Sequence, residues 1–157
     1  MKGHIEVIEH LKKILTNELT AINQYFLHSR MCKDWGYEKL AEAMYQESVG
    51  EMKHAKDIID RILFLEGQPN LQNLHPLKVG VTVKKQLEND LNLEYNAVKD
   101  LKKAIQLAQT HSDFSSKELL ETILVTEEEH VDWIEAQLNI INEIGEGNYL
   151  SQQIHSK

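Results

Sequence analysis

The segment Gly50-Glu51-Met52-Lys53-His54 (GEMKH, 50–54), with AKDIIDRILFLEG (55–67) directly after it, decides the fold. Ile58, Ile62 and Leu65 recur at spacings of four and three, the stripe an amphipathic helix turns toward a core. Glu51 and His54 lie on that same stripe, three residues apart and therefore on one helical face. Burying a carboxylate there is costly unless it is paired, protonated or bound to a metal. Its partners have to be sought elsewhere in the chain.

The bulk properties narrow the search. A chain of 157 residues is expected to form a single domain over 1–157, long enough to bury a sizeable core. Charged residues make up 27% and the net charge is -8, which disfavours nucleic acid and makes cations the natural partners. Cys32 is the only cysteine, so neither an internal disulfide nor a cysteine zinc cluster can form, which fits a reducing, cytoplasmic setting. MKGHIEVIEHLKK (1–13) has no apolar signal-peptide core. Nowhere does the chain approach the roughly 18 consecutive apolar residues of a membrane span. A soluble protein with no membrane partner is expected.

Both prolines, Pro69 and Pro76, fall in GQPNLQNLHPLKVG (67–80), the clearest break in the sequence. The remainder is rich in Leu, Glu, Lys, Gln and Ala with apolar residues at helical spacing, and predicts helices over about 4–34, 37–65, 83–110 and 115–144. Short turns at Asp34-Trp35-Gly36 and Thr110-His111-Ser112-Asp113 predict two antiparallel hairpins. The longer 67–80 segment can cross from one end of the bundle to the other. The expected fold is all-α, a four-helix bundle with one long crossover. Gly145 and Gly147 are expected to end the fourth helix, and YLSQQIHSK (149–157) to form a short fifth helix or a tail. Gly50, inside a helix, suggests close approach of another helix or a ligand.

A second Glu-x-x-His occurs at 127–130, EEEH, pairing Glu127 with His130. With 18 glutamates in the chain the match alone is weak, but both residues lie 76 positions after Glu51 and His54. The same shift carries Glu18 to Glu94, Leu11 to Leu87, Leu15 to Leu91, Ile22 to Val98, Ile58 to Ile134, Ile62 to Leu138 and Leu65 to Ile141. The chain therefore reads as two related hairpins with pseudo-twofold symmetry. Each helix turns one glutamate inward, and two add a histidine one turn on. Carboxylates 4 Å apart repel by about 4 kcal/mol even at an effective dielectric of 20. Two divalent cations would balance four of them. Oxygen-rich sites with one imidazole per metal suit iron or manganese better than zinc.

At these residues the sequence resembles the ferritin-like di-iron carboxylate proteins. Within them LTAINQYFLHSRM (19–31), EMKHAKDIIDRILFLEG (51–67) and EEEHVDWIEAQL (127–138) are similar to bacterioferritins across essentially the whole chain. The resemblance implies a ferroxidase site of Glu18, Glu51, His54, Glu94, Glu127 and His130, with Glu51 and Glu127 bridging two irons and Glu18 and Glu94 terminal. It implies a homo-oligomeric, hollow 24-subunit shell built from C2 dimers, with ferric mineral inside and haem b at the twofold interfaces. Met52, matching the family's haem ligand, follows Glu51 by about 100° around the helix and should face away from the metals. Fe(II) and dioxygen or peroxide would be substrates, and a small ferredoxin the reductant that releases stored iron. Members with an extra inner iron site carry His and Asp where this chain has Gln46 and Gly50, which leaves that site open. Tyr25 and Trp133 lie near the ligands in the pattern, as redox or packing residues. The alternatives are a haem-free ferritin, against which Met52 argues, a rubrerythrin-like peroxidase, whose cysteine-rich iron domain one cysteine cannot build, and a helical scaffold with incidental carboxylates. Co-assembly with a second subunit type is left open.

Overall fold

The computed structural model describes residues 1–155. Four long helices, α1 (Ile5–Asp34), α2 (Glu38–Phe64), α3 (Val83–Thr110) and α4 (Phe114–Ile144), are followed by a short α5 (Glu146–Ser151). Three helix starts have side-chain caps: His4 Nδ1 accepts from the Glu6 N–H, Thr82 from Lys85, and Asp113 from Ser116. Gly36, at φ +92°, allows the tight turn from α1 to α2. The expected boundaries hold to within a residue. Gly145 terminates α4 with φ 87°, but Gly147 lies inside α5, which starts earlier than expected. Ser156 and Lys157, the end of the expected tail, lie outside the described residues.

Cross-helix contacts give the directions. Ser29 bonds to Ala41 and Ser48 to Ile22, so α1 and α2 are antiparallel. Asn17 meets Asp100 and Gln24 meets Asp90, which makes α3 antiparallel to α1. Arg61 meets Asp113 while His54 approaches Glu127, which does the same for α2 and α4. The crossover climbs along α1 on a ladder of hydrogen bonds. Asn73 reaches Thr16, the His75 N–H donates to Thr20, the Lys78 N–H to Gln24 and the Gly80 N–H to His28 Nε2. Any Cβ at Gly80 would collide with the Gln86 backbone. The sequence reading missed this polar stripe. Its signal is a polar residue every four positions at 16, 20, 24 and 28, parallel to the apolar stripe.

Two apolar clusters fill the bundle. One joins Leu11, Leu15, Ile58, Ile62, Leu101 and Ile123; the other joins Leu40, Met44, Leu87, Ile134, Ile141 and Tyr149. Each fully buried aliphatic side chain stabilises the fold by roughly 1.5–3 kcal/mol. Residues related by the 76-residue shift, such as Leu11 and Leu87 or Ile58 and Ile134, fall in opposite clusters. This follows from α3 running antiparallel to α1. Shift-related residues meet only where the two clusters abut. At Gly50 a Cβ would meet nothing within 4 Å among the described residues, so no close approach within them requires glycine.

Candidate metal centre

Between the two apolar clusters lies a buried polar layer contributed by all four long helices. Glu18 (α1), Glu51 (α2), Glu94 (α3), Glu127 and His130 (α4) are each at most 5% exposed, and His54 (α2) is nearly so. The structure thus brings together all six residues singled out by the repeat. They fall into two overlapping groups whose ligand atoms lie within 4.8 Å of one another: Glu18, Glu51, His54 and Glu127, and Glu51, Glu94, Glu127 and His130. Glu51 and Glu127 belong to both.

Nδ1 of His54 stands 3.1 Å from Glu127 Oε1 and 3.6 Å from both Glu18 Oε2 and Glu51 Oε2. Nδ1 of His130 stands 3.4 Å from Glu94 Oε1. Neither nitrogen meets these oxygens with hydrogen-bond geometry. Six buried atoms are left without a partner: both Glu127 oxygens, Glu18 Oε2, Glu94 Oε2 and the two Nδ1 atoms. Orphaned buried polar atoms are rare because each costs about 1–3 kcal/mol. Convergence of six on one spot fits a cationic ligand, and the donor set of carboxylate oxygens with one imidazole per group fits a hard or borderline divalent metal.

The electrostatics of the metal-free layer agree. Burial pushes the carboxyls of Glu18, Glu94 and Glu127 above the ordinary carboxylate range, Glu94 farthest, with neighbouring Glu127 adding to its rise. Burial works against a charged His54, but the carboxylates of Glu127 and Glu18 outweigh it and raise the imidazole to about 10. His130 is likewise raised, Glu94 overcoming burial.

Two neighbours shape the layer. Tyr25 is buried in α1 and donates its hydroxyl to Glu94 Oε1, while its ring packs edge-on against His130 at 5.2 Å. Glu47, which the sequence reading did not single out, brings Oε2 within 3.3 Å of His130 Nδ1. It stands seven residues before His54, on the same face of α2, and that spacing was its only signal. Trp133 stacks loosely near His130, at 6.4 Å, and packs against the second apolar cluster. Glu128, Glu129 and Asp132 are exposed. Met52 is 59% exposed and faces away from the layer.

A bundle in which two helices each bring a glutamate and two bring Glu-x-x-His, all projecting inward, is the architecture of the ferritin-like carboxylate proteins. Residues 8–144 match the family model of the ferritin-like domain. Over 152 residues, 97% of this chain and 96% of that protein, the sequence is 47% identical to the bacterioferritin of Mycobacterium leprae. It is 46% identical to the bacterioferritin of Brucella melitensis over 149 residues, 95% of this chain and 92% of that protein. Against the bacterial ferritin of Synechocystis it is 45% identical over 155 residues, 98% of this chain and 99% of that protein. The chain belongs to the bacterioferritins. None of its helices, among the described residues, is long and apolar enough to cross a membrane.

Proposed function

We propose that the protein stores iron by oxidising Fe(II) at the buried layer and retaining Fe(III) as mineral inside a homo-oligomeric shell, of 24 subunits as in its family. The observation that carries this reading is the set of six orphaned ligand atoms in two overlapping groups. One Fe(II) is bound by Glu18 and His54, the other by Glu94 and His130, and both by Glu51 and Glu127. Glu127, with both oxygens free, suits a bridging role. Each Fe(II) gives up one electron. Two electrons and two protons take dioxygen to hydrogen peroxide, or peroxide to two waters. Tyr25 occupies one oxygen of Glu94 and so turns the other toward the metal. Protons held by the raised carboxyls and imidazoles leave as Fe(II) enters. Both hairpins contribute to this one layer, which supports a single functional unit over 1–157.

The chain also offers a fit for haem b. Met52 presents an exposed thioether, and Tyr45, seven residues before it on the same face of α2, packs on Phe26 of α1 at 6.4 Å. In a C2 dimer this apolar face meets itself, so one Met52 from each subunit would hold the iron of a shared haem. Bound there, haem supplies a one-electron route between a reductant such as a small ferredoxin and the stored iron. The cytoplasm is the compartment that suits a lone buried thiol.

Aerobic Fe(II) added to the purified protein, followed by gel filtration, tests the reading. Ferric iron should co-elute with a large assembly in amounts far above the number of chains. Iron that precipitates outside the protein, at the rate seen without it, would refute storage.

A further inference from the structure

At the far end of the bundle from α5, His4 and Glu6 at the start of α1 face His111, the residue that closes α3. The two imidazole rings stack at 3.5 Å with 19° between their planes. Glu6 Oε2 lies 4.0 Å from His111 Nε2, and ligand atoms of all three residues lie within 4.8 Å of one another. His4 and His111 border a groove of about 420 Å³ that also touches Met1, Lys2, Arg61 and Ser112. Its other charges are largely spoken for. Arg61 is held by Asp113 at 2.8 Å, and the terminal amine by Glu66 at 3.2 Å, which leaves Lys2 as the competing cation. Unlike the bundle centre, this cluster is open to water, His4 and Glu6 being exposed and His111 partly so.

We propose that His4, Glu6 and His111 form a second, surface site for a divalent transition-metal ion, zinc above all, separate from the buried layer. Two imidazoles and one carboxylate with water in the fourth position is a donor set zinc accepts in tetrahedral geometry, and softer than the oxygen-rich layer. The C-terminal end of α3 beside His111 favours a cation. Binding needs two rearrangements: the stacked rings must turn so that their in-plane lone pairs converge on one point, and His4 Nδ1, which now accepts the Glu6 N–H with its proton on Nε2, must change its role. Ligation through either nitrogen gives up that cap, since Nδ1 then carries either the metal or the proton. A bound ion would pin the start of α1 to the α3–α4 turn.

The test counts zinc. The full-length protein is dialysed against Zn²⁺ and its bound metal compared with that of His4→Asn and His111→Gln. Asparagine keeps the cap at position 4 while removing the imidazole. Each variant should lose one zinc per chain, or bind that zinc more than ~tenfold more weakly. Fe(II) oxidation should be unchanged. Stoichiometry and affinity in both variants equal to those of the unsubstituted protein would overturn the site. Loss in only one variant would assign the ion to a lone imidazole and overturn the three-ligand arrangement.

Discussion

The α1–α2 and α3–α4 hairpins carry the same inward Glu and Glu-x-x-His residues at a 76-residue offset, yet their surroundings differ. Tyr25 corresponds to Leu101, His28 to Ala104 and Glu47 to Ile123, the latter three buried and apolar. The extra polar groups of the first hairpin serve the ligands of the second. Tyr25 holds Glu94, Glu47 approaches His130, and His28 donates from Nδ1 to Asp90, one turn before Glu94, at 2.9 Å. Glu18 and His54 have no such partners, and the His54 side chain is 13% exposed against 5% for His130. Repetition therefore supplies a symmetric set of candidate ligands, and packing makes the two halves unequal.

Removing one terminal ligand from each half should give the largest effect. Glu18→Ala and Glu94→Ala should both slow Fe(II) oxidation by more than ~100-fold, beyond the 10–100-fold typical of losing an outer partner. Stability should separate them. Glu94→Ala also strands the buried Tyr25 hydroxyl, at a cost of about 1–3 kcal/mol. Glu18→Ala strands no donor. Urea melts of the metal-free variants check this, and equal midpoints would remove the asymmetry.

Tyr25→Phe should weaken metal at the Glu94–His130 half alone, by ~10–100-fold. Binding isotherms should then split into one tight and one weak step. A uniform loss at both halves would mean that Tyr25 acts on the whole layer.

The pH dependence of the metal-free protein reports on the other half. His54 has its pKa raised from 6.5 to about 10, so its folded state holds the proton more tightly than the unfolded chain. That stabilisation is complete below pH 6.5 and is lost as pH rises to about 10. The raised carboxyls of Glu18, Glu94 and Glu127 act in the same direction from pH 4.5 upward. Thermal stability without metal should fall across pH 6.5–10, and His54→Gln should flatten the slope. A slope unaltered by that substitution would place the titration elsewhere.

Met52→Leu should have the least effect on the layer: Fe(II) oxidation is retained while haem binding is lost. An absorption spectrum that keeps its haem bands in the variant would place the haem on other residues.

Much of this was legible in the sequence because helical periodicity and the 76-residue shift both survive in residue identities. Glu51 and His54 could be placed inward from Ile58, Ile62 and Leu65 alone, and the crossover from Pro69 and Pro76. The partner of Tyr25 could not be read, since it depends on how α1 and α3 align, which no local pattern encodes. Nothing in the pattern around Glu47 sets it apart from a solvated charge. The stripe from Thr16 to His28 has the pattern of a solvated face, because polar residues in a helix usually face water, whereas these anchor the crossover. At Gly50 no close approach among the described residues accounts for the glycine.

The most direct test is an anaerobic Co(II) titration followed by d–d absorbance, made on the His4→Asn variant to remove the surface imidazole. Two tight equivalents per chain should bind, falling to one tight equivalent when Tyr25→Phe is added. A break at one equivalent or none in the single variant would contradict a two-metal centre built from Glu18, Glu51, His54, Glu94, Glu127 and His130.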